Sequence, residues 1–338
     1  MRVRKAFTPA GPFYILFGLT AFRLTSNELE SAMKNADMTL GPSLFVIFLC
    51  LLFGGNGVAM KFGYTGLGPF TSAGLRFTLA ASLLVIWAGY KNIPLRLDRE
   101  QRRQIFPQCI LFVIQVSCFH LGLNHTTASH AALVANVLPF MVLVLAHFFI
   151  PGDRITLKKS IGIVMGFIGV VVLFFDKPDL GTAVQTGDII VLTAVICWSV
   201  SAVYVKRIID RFNAIQMTLF PMVFGIPFFF LGGWIWDTTM VTGVTPTVVK
   251  AILYQGTATA AFGFVAWNTM LKRYGATALH SFVFIVPLAG VSFGVLLLGE
   301  PVTSHLMAAI VCIVAGIIVV NYRRRKKPPI LPPHRPPL

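Results

Sequence analysis

The sequence predicts an all-α membrane protein of ten transmembrane helices, arranged as two inverted five-helix repeats. Three observations carry this expectation. Ten apolar stretches, each near the length a helix needs to cross hydrocarbon, divide the chain. Basic residues gather in every second gap between them. Short signatures in the first half of the spanning region recur in the second half at a nearly constant offset.

The stretches run 42–62, 69–90, 106–124, 127–149, 160–175, 187–205, 213–235, 247–270, 277–298 and 303–321. Of the 28 Lys and Arg residues, 24 lie before the first stretch, in 91–103, 154–159, 206–211 and 272–273, or after 321. The intervening gaps hold only Lys177 and Lys250, while Lys61 and Arg76 fall within stretches one and two. Lys and Arg are retained on the cytoplasmic side, so both termini are expected there.

Composition excludes a soluble globule. With 56% apolar and 12% charged residues and a mean hydropathy of +0.78, the chain needs lipid as its solvent. A net charge of +16 would suggest nucleic acid in a soluble protein. Here topology and anionic lipid account for it, and no nucleic-acid partner is expected. Cys50, Cys109, Cys118, Cys197 and Cys312 lie inside apolar stretches without paired metal-ligand spacing, so they read as packing residues and no metal is expected.

Residues 1–40 form an N-terminal extension with Arg2, Arg4 and Lys5 ahead of the short apolar run Phe13 to Phe22. If that run crossed the membrane it would place those cations outside, against the bias of the other loops, so it is expected not to span. Met38, just before the first span, is an alternative start. Residues 41–178 and 185–322 are the two expected repeats. The tail, 323–338, opens with a basic cluster and continues Pro-rich, which favours extended polyproline geometry over a packed core.

The repeat rests on several coincidences. Gly152-Asp153 ends stretch four and Gly299-Glu300 ends stretch nine, 147 positions on (299 − 152). Each follows a helix with a mid-span proline, Pro139 or Pro287. Thr127-Ala128-Ser129 and Gly275-Ala276-Thr277, before those helices, correspond at 148 (275 − 127). Five helices per unit is an odd number, so the second copy enters the bilayer from the opposite side. Two inverted units give two mirror-related packings, which is what alternating access requires.

These residues resemble the EamA family of the drug/metabolite transporter superfamily, over about 41–322. The most specific element is Leu298-Gly299-Glu300-Pro301 with Thr303 after Pro287; Gly74-Leu75-Arg76-Phe77, Cys197-Trp198-Ser199 and Lys272-Arg273-Tyr274-Gly275-Ala276 add to it. The resemblance implies a bacterial inner-membrane permease, and export of amino acids or other small metabolites more than uptake. The chain departs from the family pattern at Asp153, where a glutamate is usual, and in its long leader.

Neutral groups near mid-membrane are the candidate substrate pathway, because a small polar solute needs hydrogen-bond partners in an apolar setting. Asn56, Gln115, Asn136, Trp198, Ser201 and Gln255 fit; each alone could equally be interhelical glue. Trp198 and Ser201, three apart, are expected to share a helix face. His120 is either a titrating imidazole on the pathway or one bonded to a neighbouring helix. Arg76, roughly 10 Å into stretch two at about 1.5 Å per residue, either meets an anionic group of the solute or snorkels and pairs. Glu300 is expected to cap stretch ten, and Asp153 stretch five, with proton carriage by Glu300 as the alternative. Pro139 and Pro287 are expected bends. Gly162/Gly166 and Gly290/Gly294 have the spacing that lets helices approach closely, within the bundle or in a homodimer.

The expected function is therefore secondary transport of a small organic metabolite by alternating access. A membrane-embedded sensor or scaffold is the alternative, and a membrane enzyme the less favoured one. The Gly-x-Ser-x-Gly around Ser292 lies inside an apolar stretch, not on a strand-to-helix turn. Neither a Walker loop nor a His-Glu-x-x-His sequence occurs, and no cofactor is expected.

Overall fold

The computed structural model describes residues 39–149, 157–174, 181–280, 282–283 and 285–321. The leader, Asp153 and the basic Pro-rich tail lie outside the described residues. The rest is nearly all helix: α1 (Leu40–Gly54), α2 (Asn56–Tyr64), α3 (Pro69–Tyr90), α4 (Arg99–His125), α5 (Ala128–Ala135), α6 (Leu138–Phe149), α7 (Leu157–Phe174), α8 (Gly181–Ile208), α9 (Ala214–Trp236), α10 (Pro246–Leu253), α11 (Phe264–His280), α12 (Ile285–Leu298) and α13 (Ser304–Asn321). Among the described residues seven helical segments are long and apolar enough to cross a membrane: Leu40–Tyr64, Pro69–Tyr90, Arg99–His125, Ala128–Phe149, Val184–Ile208, Ala214–Trp236 and Pro246–Met270. Three shorter apolar helices, Ser160–Gly169, Ile285–Leu298 and Ser304–Gly316, accompany them.

Helix ends are set by local chemistry. Asp98 caps α4 by accepting from the Gln101 N–H at 2.7 Å while the Gln101 side chain accepts from the Asp98 N–H, and Asn213 and Gln216 repeat the device on α9. Pro139 has no N–H to give to the Ala135 carbonyl, and helix four is interrupted two residues earlier, at Asn136–Val137. Pro287 likewise follows an interruption, here between α11 and α12. The turn expected at 271–276 is not there: α11 runs unbroken to His280. No proline stands in 271–276, and Gly275 costs a helix only about 1 kcal/mol relative to Ala.

The two halves pack on one another in three places, α3 on α9, α5 on α12 and α7 on α13. Other neighbours come in matched pairs, α4 on α9 with α3 on the segment after α10, and α8 on α5 and α6 with α12 on α1. Met60, Leu133, Phe140, Val191, Val291 and Ile313, drawn from both halves, share one apolar core. Leu44, Phe48, Ile86, Ile110, Val164, Ile168, Leu296 and Val311 are exposed. Apolar exposure on this scale along helix middles suits hydrocarbon, not water.

The small-residue positions are consumed inside the bundle. A Cβ added at Gly316 would stand 2.7 Å from the Gly162 carbonyl and 2.9 Å from the Gly166 nitrogen, and one at Gly290 would stand 2.6 Å from the Ala132 Cβ. Between α4 and α8 two glycines let backbones touch: a Cβ on Gly187 would stand 2.6 Å from the Thr126 nitrogen and 2.8 Å from the Gly122 carbonyl.

Candidate functional site

Helix one breaks at Gly55, and the short helix α2 that follows becomes the centre of a buried polar cluster. Asn56, Met60 and Tyr64 are spaced four apart and stack on one face of α2. Each reaches a different neighbour. The Asn56 Oδ1 lies 3.1 Å from the Thr259 hydroxyl, the Met60 sulfur 3.7 Å from Arg76 Nη1, and the Tyr64 hydroxyl 3.0 Å from His120 Nδ1. On the adjacent face, Gln255 Nε2 donates to the Ala59 carbonyl at 3.0 Å. A Cβ on Gly63 would stand 3.3 Å from both Gln255 Nε2 and the Ser72 hydroxyl oxygen. The cluster therefore draws on α2, α3 and α4 of the first half and on the segment after α10 of the second.

That last segment, Tyr254–Gly263, is a π-helix, and it carries Gln255 and Thr259. Wide π turns are rare and concentrate at functional positions, because they re-aim side chains at the cost of regular hydrogen bonding. The Thr259 hydroxyl donates back to the Gln255 carbonyl at 2.7 Å, as a residue four along a widened helix can.

Burial is high throughout. Arg76 is 5% exposed and Gln255 0%, yet Ser72 Oγ, Arg76 Nε and Gln255 Oε1 have no hydrogen-bond partner among the described residues. Buried polar atoms are nearly always paired, so three orphans in one neighbourhood mark a place with a purpose beyond packing. The Arg76 guanidinium carbon lies 4.7 Å from the centre of the Phe77 ring. Phe77 packs in turn on Phe112 and Phe229, with ring centres 5.1 and 5.5 Å away, forming an aromatic wall.

Of the residues singled out from sequence, Asn56, Arg76, His120 and Gln255 come together. The others do not join them. Ser201 donates to Gln108 Oε1 at 2.9 Å, and Asn136 Nδ2 donates to the Ala132 carbonyl of its own helix at 2.7 Å. The Gln115 Oε1 is buried without a partner among the described residues. Trp198 is 38% exposed while Ser201 is buried, so the shared face expected for them is not realised. Three residues of helix turn leave a 60° offset, and the Ser201 side is the one α8 turns to α4.

Glu300 needs a correction of detail. It accepts from the Ala128 N–H at 2.6 Å, from the Ser129 N–H at 2.9 Å and from the Ser129 hydroxyl, so it caps α5 in the other half. The start of stretch ten is capped by Thr303, which accepts from the Leu306 N–H at 3.0 Å. The chemistry was foreseeable but the helix served was not. Asp237 repeats the arrangement on α3, accepting from the Phe70 and Thr71 N–H groups at 3.2 and 2.9 Å and from the Thr71 hydroxyl at 2.8 Å. Asp188 completes the set through Thr126 and His130, the latter at 2.8 Å. All three carboxylates belong to the second half, and all their partners named here to the first.

Sequence reasoning missed Met60, Tyr64, Ser72 and Thr259. The signal that would have found them is four-residue spacing from residues already singled out: Asn56–Met60–Tyr64, Ser72–Arg76 and Gln255–Thr259.

The model of the EamA-like transporter family matches residues 41–175 and 185–322. The chain belongs to this family. An uncharacterized transporter of Archaeoglobus fulgidus is 27% identical over 82% of this chain and 96% of its own length. A probable amino-acid metabolite efflux pump of Escherichia coli is 25% identical over 83% and 94%. A solved crystal structure, 18% identical, superposes with a TM-score of 0.61 over 81% of this chain and 94% of that one, which shows that the two share a fold. The tandem match places one family unit on each half of the polar cluster's surroundings.

Proposed function

We propose that this protein is a secondary transporter that exports a small organic metabolite, an amino acid or a related compound, by alternating access. On this reading ten helical segments cross a bacterial inner membrane as two inverted repeats, with the basic loops and both termini in the cytoplasm. The observation that carries it is the polar cluster: inside an apolar bundle, Asn56, Arg76, His120 and Gln255 converge from both halves, and Arg76 and Gln255 keep hydrogen-bonding capacity unspent. A solute crossing the bilayer needs that provision near the seam between repeats. The name of the E. coli relative supports the solute class.

The carboxylate clasps fit the same reading. Asp188, Asp237 and Glu300 hold the two halves together at the end opposite the basic loops. In a carrier such contacts close one entrance and must release when it opens.

Counterflow tests the proposal. Proteoliposomes preloaded with unlabelled compound are diluted into trace labelled compound, across a panel of amino acids and related metabolites without a pH gradient. At least one compound should accumulate transiently above equilibrium, and Gln255→Ala should weaken that accumulation at least about tenfold, as for loss of a buried hydrogen-bonding group. Passive equilibration across the whole panel would refute carrier function.

A further inference from the structure

We propose that Arg76 binds a carboxylate of the transported solute, which makes the substrate a small organic acid anion. This deepens the carrier reading and rests on it. Arg76 remains protonated at any physiological pH, is 5% exposed, and has no acidic side chain within ion-pair distance among the described residues. Its polar contact is a thioether, the Met60 sulfur at 3.7 Å, which is a weak acceptor. Asp237, near the start of the same helix, spends both oxygens on Phe70 and Thr71.

An unpaired buried cation is strongly unfavourable, and a protein with no functional demand for it does better with an apolar side chain of similar volume. A guanidinium reserved for an incoming anion removes the contradiction, since its fork matches a carboxylate. The surrounding orphans agree. Ser72, one turn before Arg76, presents an unpaired hydroxyl. The Tyr64 hydroxyl lies closer to His120 Nδ1, at 3.0 Å, than to the His120 carbonyl, at 3.4 Å. Donation to Nδ1 leaves Nε2 carrying the ring hydrogen, which faces the Pro69 carbonyl at the start of α3. Two unspent donors, Arg76 Nε–H and Ser72 O–H, thus belong to one cluster.

Arg76 is the sole cation of that cluster, which fits one negative charge and not a phosphate dianion. The unpaired Gln255 Oε1 accepts, and it suits a hydroxyl or amino hydrogen elsewhere on the same solute.

The test uses full-length protein in lipid nanodiscs. Thermal unfolding is followed with a panel of amino, 2-hydroxy and 2-oxo acids, each beside its carboxamide, which keeps the shape and removes the charge. At least one acid should raise the unfolding midpoint, with its carboxamide binding about tenfold or more weakly, as expected for a lost charge-assisted contact. Arg76→Gln should abolish the response and Arg76→Lys restore part of it. Equal stabilisation by acid and carboxamide overturns the proposal, as does a response unchanged in Arg76→Gln or no response to any acid. If Arg76→Gln does not fold, the acid and carboxamide comparison on the unaltered protein decides alone. Counterflow separates the two readings: uptake of a compound that tolerates its carboxamide leaves the carrier standing and removes the anion, whereas acid binding without counterflow does the reverse.

Discussion

Glu300→Gln is expected to lower stability by about 3 kcal/mol, the scale of one or two charge-assisted hydrogen bonds, and to slow transport at least about tenfold. The carboxylate accepts from two consecutive backbone N–H groups and a hydroxyl at the first turn of α5. A carboxamide supplies one oxygen to these donors and sets its NH2 against the rest. The charge also lies at a helix N-terminus, where the macrodipole favours an anion. Because the clasp joins α5 of one half to the residue that follows α12 of the other, its loss should act on the balance between open and closed forms as well as on unfolding. Glu300→Asp, which keeps the charge on a shorter arm, should recover part of both. Unfolding in detergent and initial rates of counterflow check this. A Glu300→Gln protein with the rate and stability of its parent would remove the clasp from the account.

Gly187→Leu is expected to prevent assembly of a monodisperse protein, and Gly187→Ala to cost about 1–3 kcal/mol, the usual penalty for overpacking. The reason is close approach of main chains. A Cβ on Gly187 would stand 2.6 Å from the Thr126 nitrogen and 2.8 Å from both the Gly122 carbonyl and the His125 carbonyl carbon. Backbone atoms cannot rotate aside as side-chain ends do, so α4 and α8 would have to separate. The Thr126 and His130 contacts with Asp188 lie beside this crossing and should loosen with it. Size-exclusion profiles of fluorescent fusions report the outcome. Normal profiles and unfolding for both variants would contradict the packing described.

Much of the architecture was legible because it is written in lengths and offsets. The bilayer fixes how long an apolar segment must be, and duplication leaves Gly152-Asp153 and Gly299-Glu300 in register. Asn56, Arg76, His120 and Gln255 were legible for a related reason, since polar groups in hydrocarbon are costly enough to need a cause. What could not be read was which helix meets which. Glu300 looked like a cap for its own downstream helix and serves α5 instead. Trp198 looked like a partner for Ser201, but Ser201 turns to α4 while Trp198 stays partly exposed. The helical run through 271–276 was hidden by Gly275 and the charges of Lys272 and Arg273, loop signals that a helix tolerates at small cost. The π-helix at Tyr254–Gly263 leaves no composition signal, so the re-aiming of Gln255 and Thr259 is visible only in three dimensions.

The central claim is that the two halves rock against each other about this cluster, opening one entrance at a time. The most direct check is a reversible lock placed away from the cluster. A Cβ on Gly290 would stand 2.6 Å from the Ala132 Cβ, about 1 Å short of the Cβ–Cβ separation a disulfide spans, so Ala132→Cys with Gly290→Cys should tie α5 to α12 without touching the Glu300 clasp. Counterflow by this double variant is measured reduced, oxidised and reduced again. The account predicts transport in the reduced protein, arrest on complete cross-linking and recovery with reductant; undiminished counterflow through the fully cross-linked protein would contradict it.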